Sequence, residues 1–317
     1  MSIHNMERRD FLRVVAGGAV GFSLAYSAFG QQPPPAVKAT KLTDNITLLA
    51  NDGGNVAVIT GDDGLMMIDG GFSNRADELL KAVAGVDSHK VQLLFDTHWH
   101  YDHTGCNETL GASGVKIMGH TNTKKWLSQA VVSKALNQAQ NAPADRAFGP
   151  LKAAGLPTQT FGKGGKLTFG KEKIEYTYFP LAHTDSDVYL FFPNANVLHT
   201  GDLFFNGFYP FIDYSTGGYI GGMAAAADAL LKVGDAQTKV IPGHGPVGTK
   251  EDLQATRDML HTVHERLEAL AKQGKTVDEV IAAAPTKDLD DKWGKVLPPK
   301  VFIGMAYGSI QEHKKSA

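Results

Sequence analysis

The stretch Thr97-His98-Trp99-His100-Tyr101-Asp102-His103-Thr104-Gly105 constrains this chain more than any other. It places three imidazoles and a carboxylate within six positions. The run Val91-Gln92-Leu93-Leu94-Phe95 leads into it and reads as a buried strand. A strand that ends in clustered nitrogen and oxygen donors makes sense if an ion is gripped at its carboxyl end. Zinc accepts such donors once they are deprotonated. In an extended loop His98 and His100 lie on the same side, two residues apart, and can clamp one metal. Asp102 and His103 follow at once, need a turn and so point elsewhere, which suits a second ion.

The elements around this stretch alternate. Strands are expected at Ile46–Ala50, Asn55–Thr60 and Leu65–Asp69, with Gly53-Gly54 and Gly61-Asp62-Asp63-Gly64 as hairpin turns. A helix follows from Ser73 to about Ala84, then the strand before the histidines and a short one near Val115–Met118. Thr121 to about Gln140 reads as helical, and 141–165 as irregular. Further strands are expected at Ile174–Phe179, Val188–Phe192, Asn196–Thr200 and Thr238–Ile241. Helices are expected at Met223–Lys232, from Thr249 to about Lys272, around Val277–Ala284 and near Val301–Gln311. Two similar halves of strands and helices suggest two packed sheets with helices outside.

More donors stand after the later strands. His183 lies in Leu181-Ala182-His183-Thr184-Asp185-Ser186-Asp187, Asp202 in Thr200-Gly201-Asp202, and His244 in Pro242-Gly243-His244-Gly245-Pro246. With the strand-ending Asp69-Gly70 and the His98-x-His100-x-Asp102-His103 motif, these residues resemble the metallo-β-lactamase superfamily from about Ile46 to Pro246. The resemblance implies an α/β architecture, an αββα sandwich of two mixed β-sheets with a two-metal site at one edge. His98, His100 and His183 would bind one zinc, and Asp102, His103 and His244 the other. Asp202 would bridge them, and Asp69 would hold a ligand or a loop from behind. The implied chemistry is hydrolysis by a hydroxide formed from water between two zinc ions, with Asp102 or a metal-bound water carrying the proton to the leaving group. An Asp at 202 looks more like hydroxyacylglutathione hydrolases and lactonases than like zinc β-lactamases, which often carry Cys there. Two other readings stay open: a mononuclear iron dioxygenase acting on persulfides, and an accessory binding protein of a periplasmic redox system.

The N-terminus bears on location. Glu7-Arg8-Arg9-Asp10-Phe11-Leu12-Arg13 precedes an uncharged stretch of 16 residues, Val14 to Phe29. That is shorter than the roughly 20 residues a membrane-spanning helix needs. Residues 1–30 resemble a twin-arginine export signal, which implies a periplasmic protein with no stable membrane insertion after cleavage. Residues 31–45, with Pro33-Pro34-Pro35, read as a linker. Residues 46–250 would form the metallo-β-lactamase domain and 251–317 a helical extension packed on it. A formal charge of −2 gives no reason to expect nucleic acid, so the partner is a small-molecule substrate. Cys106 is the only cysteine, so no intrachain disulfide forms.

Several residues carry blander expectations. Trp99 and Tyr101 alternate with ligands and should pack on the sheet, away from the ions. Phe204, Phe205, Asn206, Phe208, Tyr209, Phe211 and Tyr214 form an aromatic loop, either a pocket wall that sets substrate choice or a lid packed on the core. Cys106 reads as a small buried residue and His199 as a satisfied core histidine. His261 and His264 share a helix face and should be solvent-exposed. His4, His89, His120 and His313 have no evident partners, and Lys314-Lys315 reads as a solvated tail.

Overall fold

The computed structural model describes residues 36–50, 53–140 and 142–316. The export-signal stretch and Pro33–Pro35 lie outside these residues. Among the described residues, twelve strands form two sheets. The first holds β1 (Lys38–Lys41), β2 (Ile46–Ala50), β3 (Val56–Thr60), β4 (Leu65–Ile68), β5 (Val91–Phe95), β6 (Lys116–His120) and β7 (Gln159–Phe161), in that order. Pairing is antiparallel from β1 to β4 and parallel from β4 to β7. The second runs β12-β11-β10-β9-β8, from β8 (Gly164–Phe169), β9 (Glu172–Tyr178), β10 (Val188–Phe192), β11 (Val197–His199) and β12 (Lys239–Ile241). Only β11 and β12 are parallel in it. The helices are α1 (Ala76–Val86), α2 (Asn107–Ala112), α3 (Thr121–Leu127), α4 (Lys134–Ala139), α5 (Ile220–Leu230), α6 (Lys250–Lys272), α7 (Val277–Ala283), α8 (Asp290–Trp293) and α9 (Pro299–Ser316).

Alternation along β3 sorts its side chains between two layers. Ala57 and Ile59 join Ile46, Ile68, Phe95, Leu190 and Phe192 between the sheets. Val56 and Val58 join Leu79, Val83 and Leu110 under α1 and α2 on the outer face. Both faces are buried, so the strand reads as continuous apolar sequence. Beyond the second sheet a third cluster joins Leu198 and Val240 to α5, α6 and α9. The order is helices, sheet, sheet, helices: the αββα sandwich.

Three expectations change. Part of the span read as a linker, 31–45, is strand β1, four residues paired with β2 at the sheet edge. All four are exposed, so no hydrophobic alternation announced it. The helical stretch from Thr121 to Gln140 is two short helices, broken where Val131 bridges to Phe148 and the Ser133 side chain caps α4. The irregular span 141–165 contains edge strand β7 and the start of β8. The described part of 251–317 forms most of α6 and all of α7, α8 and α9, and shares the third cluster with the 203–212 loop. No described helix is long and apolar enough to cross a membrane.

Candidate metal centre

The centre forms at the carboxyl ends of strands from both sheets, which places distant residues side by side. Parallel β4 and β5 bring Asp69 next to Thr97. Parallel β11 and β12 bring Asp202 next to His244. Hydrogen bonds tie the sheets together here. Val188 N–H donates to Thr97 O at 2.9 Å, and the buried Asn55 Nδ2 donates to Pro242 O and Gly245 O, both at 2.9 Å.

All seven expected ligands meet, and all are buried. His98, His100, His183 and Asp202 make one cluster, and Asp102, His103 and His244 the other, each with donor atoms within 4.8 Å of one another. Asp202 reaches both. Its Oδ2 lies 3.2 Å from His183 Nε2 and 3.5 Å from His244 Nε2, and its Oδ1 lies 3.2 Å from His103 Nε2. Asp102 Oδ2 is 3.3 Å from His244 Nε2.

The ring nitrogens turned away from the centre are held by partners. Asp69 carries His103 Nδ1 at 2.7 Å and accepts from Thr97 N and Oγ1 at 2.8 Å each. It does so from a left-handed backbone, φ 64°, a strained conformation at the strand end. Thr97 Oγ1 meets His98 Nδ1 at 3.0 Å, and Phe211 O meets His183 Nδ1 at 2.8 Å. His100 Nε2 lies 3.1 Å from Asp213 Oδ2, and Ser133 and Thr216 donate to that same carboxylate. Such partners fix tautomer and ring orientation for a metal. Sequence reasoning named Asp69 but missed Asp213, Thr97 and Asn55. Asp213 sits in the aromatic loop, where no spacing rule links it to His100.

The donor set fits divalent cations. His98 Nε2 is buried with no hydrogen-bond partner among the described residues. His183 Nε2 and His100 Nδ1 approach to 2.8 Å, although each ring's other nitrogen already has a partner. Burial pushes His183 down to about 4 and His98 below the usual imidazole range, so both stay neutral, as metal ligation requires. Burial opposes charge on His244 as well, yet Asp202 and Asp102 carry it up to about 9. Without a cation, protons on imidazole must balance the two carboxylates. The backbone makes room at two glycines. A Cβ on Gly243 would lie 1.8 Å from Asp202 Oδ1, and one on Gly54 would lie 2.2 Å from His103 Cε1.

The sequence from residue 49 to 245 matches the family model of the metallo-beta-lactamase superfamily. The chain belongs to that superfamily. A metallo-beta-lactamase type 2 of Bacillus sp. (strain 170) is 23% identical over 207 residues, 65% of this chain and 72% of that one. The hydroxyacylglutathione hydrolase GloC of Haemophilus influenzae is 26% identical over 215 residues, 67% of this chain and 91% of its own. A solved double mutant of the sec-alkyl sulfatase PisA1 shares the fold with a TM-score of 0.66 at 17% identity. That likeness covers 87% of this chain, a share residues 1–250 alone cannot supply, and 50% of the sulfatase. This metallo-β-lactamase-type chain is thus a metal-dependent hydrolase.

The aromatic loop of this superfamily member is a packed plug. Phe204, Phe205, Phe208, Tyr209 and Phe211 are all buried, and Tyr209 in particular packs into the core rather than forming a substrate wall. Tyr209 stacks on Phe302 of α9 at 4.2 Å and donates to Asp290 of α8 at 2.9 Å. Phe205 stacks on His244 at 5.3 Å, and Phe211 lies edge-on to His100 and His183. Trp99 packs on Trp126 and Phe148, with its Nε1 donating to Thr216 Oγ1 at 3.1 Å.

The other histidines mostly have partners. His261 is half-buried on Asp228, and His264 on Tyr219 at 2.9 Å, because α6 lies on α5. The expected exposure of that pair does not hold. His313 stacks on Tyr219, His120 stacks on Tyr178, and His89 bonds Asp87. His199 is buried and its Nδ1 accepts from Gly201 N. Cys106 is buried and Lys314 pairs with Glu268. His4 lies outside the described residues.

Proposed function

We propose that this chain is an exported dizinc hydrolase that cleaves a carbonyl substrate: an ester, thioester, lactone or β-lactam amide. One observation supports it most. A second complete cluster, Asp102, His103 and His244, stands beside the first and shares Asp202 with it. A single iron would occupy only one of the two clusters. His98, His100 and His183 would hold one ion, and Asp102, His103 and His244 the other, with Asp202 between them. Two bound zinc ions supply Lewis acidity toward a carbonyl oxygen and acidify water toward neutral pH.

The chain's own residues position, dry and relay. Asp69, Asp213 and the Phe211 carbonyl hold the imidazoles in one tautomer each. Phe205 and Phe211 keep water from the inner side, where low dielectric strengthens every charge interaction. Asp102 is the acid–base residue. Burial opposes its charge, but His103 and His244 lower its carboxyl, so it rests ionised and could take a proton from the attacking water. It then passes that proton to the leaving group. Export to the periplasm is part of the reading and rests on the Arg8-Arg9 run with its uncharged tail.

Metal analysis with a broad substrate panel tests the reading. The expected result is about two zinc per chain and turnover of at least one ester, thioester, lactone or β-lactam. One iron with oxygen uptake on a persulfide overturns it, as does zinc-loaded protein that cleaves nothing on the panel. A His98→Ala protein that loses metal yet keeps its cellular role favours the accessory-protein reading.

A further inference from the structure

The seven ligands are not equally covered. His98, His100, His103 and His183 are no more than 2% exposed, whereas Asp102 is 7% and His244 6% exposed. The centre therefore opens on the Asp102 side. A line of rings leads away from it. A Cβ on Gly53 would lie 3.4 Å from Asp102 Cβ and 3.1 Å from Phe72 Cδ2, so Phe72 and Asp102 both flank Gly53. Phe72 lies 5.5 Å from the ring of Tyr101, the residue next to Asp102. Tyr101 stacks on Phe148 at 5.1 Å and 17°, and the Arg146 guanidinium lies 4.6 Å over Phe148. Gln140 joins the ends of this wall, donating to the Tyr101 hydroxyl and accepting from Arg146 Nη2.

Arg146 stands apart from the other described arginines. Arg75 pairs with Glu78, Arg257 with Asp228 and Arg266 with Asp288. Arg146 is half-buried, and its partners among the described residues are neutral: Asn137 Oδ1 at 3.1 Å, Gln140 Oε1 and the Phe148 ring. A partly desolvated cation without a counter-charge is costly, and a planar guanidinium is shaped to receive a carboxylate or sulfonate in a fork. Its aromatic approach suits an apolar body between that anion and the reacting carbonyl.

We propose that Arg146 binds an anionic group of the substrate, whose apolar body lies along Phe72, Tyr101 and Phe148. This rests on the hydrolase reading and narrows it. The enzyme would take carbonyl compounds with a carboxylate or sulfonate at the end remote from the scissile bond. The rival role for Arg146 is purely structural, pinning the 142–148 segment through Asn137, and the two roles separate by substrate charge.

The test compares Arg146→Gln and Arg146→Lys with the parent protein, metal-loaded. The substrates are mono-4-nitrophenyl esters of straight-chain dicarboxylic acids, against 4-nitrophenyl esters of monocarboxylic acids of equal length. Arg146→Gln should lower kcat/KM for an acid-tailed ester by about 10–100-fold, through KM, as loss of a charge-assisted hydrogen bond implies. It should leave the neutral esters within about twofold. Arg146→Lys should recover part of the preference. Equal losses on both series, or none, overturn the proposal. Binding of 3-phenylpropane-1-sulfonate, followed by intrinsic fluorescence, reads the same site without turnover. If no ester is cleaved, the hydrolase reading fails and this arm still decides on Arg146. Binding weakened tenfold or more in Arg146→Gln supports it; equal binding, or none in the parent protein, overturns it.

Discussion

The two clusters use the same donor types but are supported differently. In the first, His98, His100 and His183 are each held from behind by Thr97, Asp213 and the Phe211 carbonyl, and all are sealed from solvent. In the second only His103 is sealed to that degree, against Asp69, while Asp102 and His244 stand at the mouth. If both clusters hold ions as proposed, the more deeply covered one with locked rings suits retention and the slightly less covered one suits access, with Asp202 shared between them.

The contrast can be broken most severely at that shared residue. Asp202→Ala should lower bound metal from about two ions to one or fewer, and the rate by at least about a hundredfold. Full metal content by elemental analysis would show that the clusters do not depend on each other. Asp213→Asn is the next largest. It should weaken metal retention about 10–100-fold by freeing the His100 ring. Competition with a chromogenic chelator measures this, and unchanged affinity would remove the argument for rear support in the first cluster. Graded chelation of the parent protein should release metal in two phases, the ion held by Asp102, His103 and His244 leaving first. A single phase would erase the difference between the clusters.

Smaller effects sharpen the picture away from the ions. Tyr209→Phe deletes the hydrogen bond to Asp290 and should cost about 0.5–1.5 kcal/mol in denaturant unfolding. KM should not change, because Tyr209 is fully buried. Cys106 gives the smallest effect. Burial pushes its thiol up to about 12, so a thiol reagent at pH 8 should label the unfolded chain and spare the native one.

Legibility followed the length scale of each signal. Five strand-ending motifs, Asp69-Gly70 to Gly243-His244-Gly245, were readable because ligands must follow strands and glycines must admit close approach. Strands β2, β5 and β10 were bounded correctly because each is a short apolar run, mostly buried in β2 and β10 and buried at Leu94 and Phe95 in β5. Strand β1 was not, since nothing in Lys38–Lys41 is buried. The aromatic loop showed the reverse problem. Its composition fits a pocket wall or a core plug equally, and only α8 and α9 closing over Tyr209 decide for the plug.

The sequence alone determined the donor set, its order along the chain and the sandwich that order implies, because metal ligation demands particular atoms and strands demand apolar runs. The tertiary structure decided what stands behind and beside those donors. Asp213 lies 113 positions from His100, and Asn55 lies 187 from Pro242. Contacts of that kind arise from two sheets closing on each other. They leave no local pattern, because a carboxylate that orients a distant imidazole obeys no spacing rule.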